Sequence, residues 1–129
     1  MNKKIILLIS VILTIYLNAQ EVKHIKYYDS GKIMEKGQYL DSLQHGLWSY
    51  YYKNGQIELT GKFIKGLEEG EWKSYYQNGQ TKSIIPYKNG VEHGAVIAYH
   101  ENGKISTVAS AVEGEPDGEM KTFDEHGNL

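Results

Sequence analysis

Over most of its length the chain alternates apolar and polar side chains with the period of two that an extended strand imposes, because successive residues of a strand point to opposite faces. Ile33, Gly37 and Tyr39 share one face, and Ile57, Leu59, Gly61 and Phe63 repeat the arrangement farther along. The return segments read Trp48, Tyr50 and Tyr52 on one face with Leu47 and Tyr51 on the other. Asn54-Gly55, Asn78-Gly79 and Asn102-Gly103 are the dipeptides favoured by type I′ hairpin turns, whose two central residues both need positive φ. Ser30-Gly31 and His126-Gly127 are weaker versions of the same signal. Longer glycine-bearing loops, such as Lys65 to Gly70 and Lys88 to Gly94, are expected to join the two strands of each unit. The pattern predicts an antiparallel meander of about nine or ten short strands.

The alternation itself recurs. Gly31, Gly55, Gly79, Gly103 and Gly127 follow one another at intervals of 24 residues, each with an aromatic residue four positions earlier: Tyr27, Tyr51, Tyr75, Tyr99 and Phe123. A second glycine (Gly46, Gly70, Gly94, Gly118) is preceded by His45, Glu69, His93 or Asp117, and Trp48, Trp72, Val96 or Met120 stands two places beyond it. The fold class is therefore all-β: an elongated single-layer antiparallel β-meander built from five 24-residue β-hairpin repeats. A single hairpin buries too little to fold alone, so the repeats must stabilise one another by stacking their aromatic and isoleucine columns. The later copies drift. Ile85 and Ala109 replace Gly37 and Gly61, and Ala111 replaces Tyr39, Phe63 and Tyr87. Pro86 cannot donate to a ladder, so a bulge or irregularity is expected beside it. Glu119, Lys121 and Asp124 suit a last strand defended against further pairing.

The first residues follow a different logic. Lys3 and Lys4 precede an apolar run from Ile5 to Leu17, and Leu17-Asn18-Ala19 leads into Gln20, which is the layout of a secretory signal peptide. Residues 1–19 are read as that signal and 20–129 as the repeat domain, so the mature chain is expected to be exported, periplasmic or extracellular, with no stable membrane insertion. The chain has no cysteine, which excludes disulfides, thiolate metal sites and lipidation of a new amino-terminal cysteine. Residues 1–19 hold two of the fourteen basic residues and none of the sixteen acidic ones, so their removal moves the formal net charge from -2 to -4. Every basic residue is lysine. A mildly acidic protein without arginine lacks the bidentate fork for phosphate and guanine recognition, so nucleic acid is not an expected partner.

Gly61-Lys62-Phe63, Gly66, Glu69-Gly70-Glu71-Trp72 and Tyr75-Tyr76-Gln77-Asn78-Gly79, with His45-Gly46-Leu47-Trp48 through Tyr51, Tyr52, Asn54 and Gly55, form a pattern that resembles the MORN repeat in its bacterial variant, which is also found in YwqK-like antitoxins. The resemblance covers residues 27–129. It implies a protein-binding scaffold or, alternatively, an antitoxin or immunity protein that neutralises a secreted toxin, although a signal peptide argues against a cytoplasmic antitoxin. Trp48-Ser49-Tyr50-Tyr51-Tyr52-Lys53-Asn54-Gly55 also looks like part of a choline-binding or cell-wall-binding repeat, which implies cell-surface glycan or choline binding as a further alternative. Those repeats are shorter and lack the second glycine turn.

Chemistry beyond binding finds little support. His45 and His93 share a column two repeats apart, too far to share a metal, and no His-x-x-x-His or His-Glu-x-x-His spacing occurs. Glu68, Glu69 and Glu71, and then Glu113, Glu115 and Asp117, fall in expected loops as solvated carboxylates. No nucleophile elbow, Walker or dinucleotide fingerprint appears. Neither a catalytic site, a metal nor a cofactor is expected. Tyrosine is the distinctive resource, at eleven residues against two phenylalanines. Tyr27, Tyr51, Tyr75 and Tyr99 are read as a packed spine. Tyr28, Tyr50, Tyr52 and Tyr76 would then lie with Trp48 and Trp72 on the opposite, uncovered face. The candidate partner-binding residues are Trp48, Tyr50, Tyr52, Trp72 and Tyr76, forming an exposed aromatic strip for a protein or, alternatively, a carbohydrate.

Overall fold

A computed structural model describes residues 20–129, and the segment read as a signal peptide lies outside the described residues. The described residues form one antiparallel sheet of eleven strands without a helix. In chain order these are β1 (Glu21–Tyr27), β2 (Ile33–Leu40), β3 (Leu43–Tyr51), β4 (Ile57–Ile64), β5 (Leu67–Tyr75), β6 (Thr81–Lys88), β7 (Val91–Glu92), β8 (Gly94–Tyr99), β9 (Ile105–Val112), β10 (Glu115–Pro116) and β11 (Lys121–Thr122). Each strand pairs with its neighbours in sequence, except that β6 pairs with both β7 and β8, and β9 with both β10 and β11. The all-β meander read from the periodicity is what the chain adopts.

The two kinds of turn are the reverse of the sequence reading. Consecutive positive φ values, the mark of a two-residue type I′ turn, fall at Asp41-Ser42 (50° and 66°), Lys65-Gly66 (51° and 82°), Asn89-Gly90 (51° and 81°) and Glu113-Gly114 (54° and 82°). The segments expected to be long loops are therefore tight turns followed directly by strand. The Asn-Gly sites are instead five-residue loops in which only glycine is left-handed. At Tyr52 to Gln56 the Gly55 N–H donates to the Tyr52 carbonyl at 2.8 Å, and the Tyr52 N–H donates to the Gln56 carbonyl at 2.9 Å. Asn54 takes a role other than the positive φ expected of it. Its Oδ1 accepts the Gln56 N–H at 2.9 Å, as Asn78 and Asn102 do for Gln80 and Lys104.

A wide bulge follows each tight turn. Lys36 pairs with Ser49 and Gln38 with His45, so Gly46, Leu47 and Trp48 stand against Gly37 alone. Thr60 pairs with Lys73 and Lys62 with Glu69, leaving Gly70, Glu71 and Trp72 against Gly61. Gly46 and Gly70 supply the left-handed backbone the bulge needs, at φ 71° and 75°. The bulge lays each indole flat on the backbone of the facing strand, and a Cβ at Gly37 or Gly61 would lie inside the Trp48 or Trp72 ring. These glycines exist to let the ring approach. In the next repeat the column changes on both sides at once, with Ile85 for glycine and Val96 for tryptophan, so volume lost from one strand is returned by the other. Beside Pro86 the irregularity expected from sequence is present: β7 and β8 part at His93, whose N–H donates to the Pro86 carbonyl at 2.9 Å.

The core is one face of the sheet. Trp48 (1% exposed), Phe63 and Trp72 (both 6%) are buried there, with Tyr39, Tyr50, Leu59 and Tyr87 packed around them. Ring centroids run in an unbroken series: Tyr39 to Trp48 at 5.2 Å, Trp48 to Phe63 at 6.1 Å, Phe63 to Trp72 at 4.8 Å and Trp72 to Tyr87 at 6.3 Å. An indole removes roughly 150–250 Å² from water, worth about 4–6 kcal/mol at ~25 cal/mol per Å².

Two outcomes are expected. Gly61→Ala forces the Trp72 ring off its seat and should cost about 1–3 kcal/mol in denaturant unfolding, whereas Gly61→Ile with Trp72→Val, which copies Ile85 and Val96, should be less destabilised than the two single changes summed. Lys65→Asn, which copies Asn89, relieves a left-handed lysine and should gain about 0.5–1 kcal/mol by the same measurement.

Candidate functional site

The five candidate residues fall into two structural groups rather than one strip. Trp48 and Trp72 are not exposed, which overturns the reading of a continuous aromatic surface through them. They share a face with Tyr50 as the alternation required, but that face is the packed one, because bulge and glycine recess each indole among its neighbours' rings. The Trp48 Nε1 donates to the Gln38 carbonyl at 3.1 Å. The corresponding Trp72 Nε1 is buried and meets no acceptor among the described residues, a cost of about 1–3 kcal/mol that the ring contacts offset.

Tyr50 bridges the two groups. Its ring stacks on Trp48 at 6.1 Å and 29°, and its hydroxyl accepts a hydrogen bond from Gln44 Nε2 at 3.3 Å. Burial raises its hydroxyl pKa above the ordinary value of 10.0, opposed by the Gln44 hydrogen bond. Tyr87, at the far end of the core, is raised for the same first reason, with Glu92 adding to it.

Tyr52 and Tyr76 belong to a column that sequence reasoning grouped only as residues off the spine. The Tyr52 hydroxyl donates to the Tyr75 carbonyl and the Tyr76 hydroxyl to the Tyr99 carbonyl, both at 2.7 Å. Tyr28 reaches the Tyr51 carbonyl in the same way, and His100 Nε2 sits 2.8 Å from the Phe123 carbonyl. Each repeat thus hooks onto the spine of the next. The signal was present as Tyr28, Tyr52, Tyr76 and His100 at intervals of 24 residues.

The second turn carries a parallel set of links. Lys65 N–H donates to His45 Nδ1 at 3.4 Å, Asn89 N–H to Glu69 Oε2 at 3.0 Å and Glu113 N–H to His93 Nδ1 at 3.4 Å, each one repeat ahead. The histidines and the glutamate of this column are therefore occupied in joining repeats. Among the described residues no group of three His, Asp or Glu side chains is placed to hold a metal ion. His24, 24 residues before Trp48, occupies the tryptophan column. It stacks on Trp48 at 5.3 Å, and its Nε2 lies 2.9 Å from Glu35 Oε1.

One hollow on the core face, of about 350 Å³, lies between Tyr50, Tyr52, Glu58, Leu59, Ser74 and Lys82. It arises because the Tyr50 column shrinks to Ser74 one repeat later. The Tyr52 hydroxyl bond to Tyr75 fixes the aromatic wall. The opposite face has its own exposed apolar residues, notably Leu47 at 74%. Tyr27, read as part of a packed spine, is 55% exposed, since β1 has no neighbour beyond it among the described residues.

Replacing the hooks by phenylalanine tests their role. Tyr52→Phe with Tyr76→Phe removes two hydrogen bonds between repeats and should cost about 1–3 kcal/mol in all, with amide hydrogen exchange rising most at the strand ends around Tyr75 and Tyr99.

No curated protein matches the chain. The family model described as the MORN repeat variant matches residues 20–41, 44–65, 68–89 and 92–109, four successive units in the same 24-residue frame as the bulges and hooks. With most of its length matched by that model, the chain belongs to the MORN repeat variant family.

Proposed function

We propose that this protein is an exported, non-catalytic repeat scaffold that binds another protein on the core face, at the hollow beside Tyr50 and Tyr52. The observation that carries the reading is the division of labour among polar groups. The Tyr28, Tyr52 and Tyr76 hydroxyls, the His45 and His93 rings and the Asn54 and Asn102 side-chain amides, which would ordinarily be candidates for chemistry, are used to join repeats. The accessible remainder is an aromatic wall from Tyr50 and Tyr52, an apolar floor at Leu59, and one charge of each sign at Glu58 and Lys82. A rigid amphipathic aromatic pair beside a small charged rim is the composition that anchors protein contacts. Trp48 contributes indirectly, by stacking on Tyr50. Export rests on the amino-terminal pattern of residues 1–19.

Cross-linked capture from envelope extract tests the reading. Wild type should retain a specific protein that Tyr50→Ser with Glu58→Lys loses while keeping its circular dichroism, and identical captured sets from the two would sink it. Amino-terminal sequencing of the envelope form should begin at Gln20; recovery with Met1 intact in the cytosol would remove export.

A further inference from the structure

In the first two complete bulges an indole lies on a glycine eleven residues earlier, Trp48 on Gly37 and Trp72 on Gly61. In the third, Ile85 and Val96 hold the two positions. The fourth leaves the space open. Ala109 and Met120 occupy the two positions, and Met120 is 69% exposed. The neighbouring aromatic column of Tyr39, Phe63 and Tyr87 also ends there, in Ala111.

The result is a hollow of about 210 Å³ over Val96, Ala109 and Ala111, walled by Pro116 and Met120. It is several times the roughly 30 Å³ that one water molecule occupies. Its floor is apolar and well covered, with Ala111 only 5% exposed. Its rim is acidic. Glu92 and Glu119 line it, and Glu113, Glu115 and Asp117 follow on the adjoining turn and short strand, all three exposed. Lys121 is the only lysine or arginine between Lys104 and Leu129.

We propose that this hollow receives an aromatic side chain of a partner polypeptide, an indole flanked by lysine or arginine, resting above the Ala109 methyl rather than flat on bare backbone. The equivalent place two and three units earlier closes over an indole, on Gly61 and Gly37. The flanking cations meet Glu92 and Glu119, where an acidic flank would meet like charge. The inference rests on the chain being a protein-binding scaffold but uses a different surface from the Tyr50 and Tyr52 hollow, so either can fail alone.

The test is a nuclear magnetic resonance titration of the isotope-labelled protein with acetyl-Lys-Trp-Lys-amide. Saturable shifts are expected at Val96, Ala109, Ala111 and Met120, with binding roughly five- to tenfold weaker for acetyl-Glu-Trp-Glu-amide and for Glu92→Gln with Glu119→Gln. Ala109→Gly with Met120→Trp rebuilds the glycine and indole pair, so the chain's own ring should take the seat, raise the melting temperature and abolish the shifts. Should that variant fail to fold, the charge variant and the two peptides still decide the matter. Equal shifts with acetyl-Lys-Ala-Lys-amide, no preference between lysine and glutamate flanks, or undiminished binding to a folded Ala109→Gly/Met120→Trp protein would each overturn the proposal. So would concentration-dependent shifts of these residues without peptide, which would put a second copy of the chain in the hollow.

Discussion

The contact between an indole and a bare stretch of backbone organises the rest of this sheet. A single layer of strands normally leaves one or both faces wet, and side chains standing perpendicular to it cannot surround one another as they do between two layers. Here a three-against-one bulge tips Trp48 and Trp72 over the facing strand, and Gly37 and Gly61 clear the space beneath. The ring then touches backbone below and aromatic neighbours on both sides, and Trp48 is left only 1% exposed without a second layer above it. The bulge needs a left-handed glycine and the recess needs a residue without Cβ. Two of the repeat's glycine columns therefore trace back to one packing event.

Around that contact the repeats are joined by bonds that run one unit forward. Tyrosine hydroxyls reach the next spine carbonyl, turn histidines and a glutamate accept from the next tight turn, and Leu43 and Leu67 pack against Gly66 and Gly90 of the following turns. Stability in such an object is a sum of nearest-neighbour interfaces, and it falls where an interface is poor. The aromatic series ends at Tyr87, and the last strands shorten to two residues each. The sheet is thus graded along its length, with a packed aromatic beginning and an open, acidic end.

That gradient has functional meaning because partner binding requires surface left unused by folding. Two hollows lie where a column loses volume: at Ser74 after Tyr50, and at Ala111 after Tyr39, Phe63 and Tyr87. Such departures from the repeat mark part of the open surface, since a column that matches its neighbours is one that packs against them.

The 24-residue period, the alternation and the glycine columns were enough to establish the strands, the meander and which side chains share a face, because those depend on local backbone geometry and on a pattern that repeats in step. They also brought Trp48, Tyr50 and Tyr52 into one group. What they could not reach was which face is covered: both faces carry aromatic residues, and a period of two is blind to the choice. The turn types were hidden for a similar reason, since Asn-Gly serves a type I′ turn and a five-residue loop closed by a left-handed glycine alike, and only strand register distinguishes them. Burial of Trp48 and Trp72, the use of the Tyr52 and Tyr76 hydroxyls and the place of His24 in the tryptophan column were decided by tertiary structure, because each depends on residues eleven to twenty-four positions away being brought into contact by the bulge.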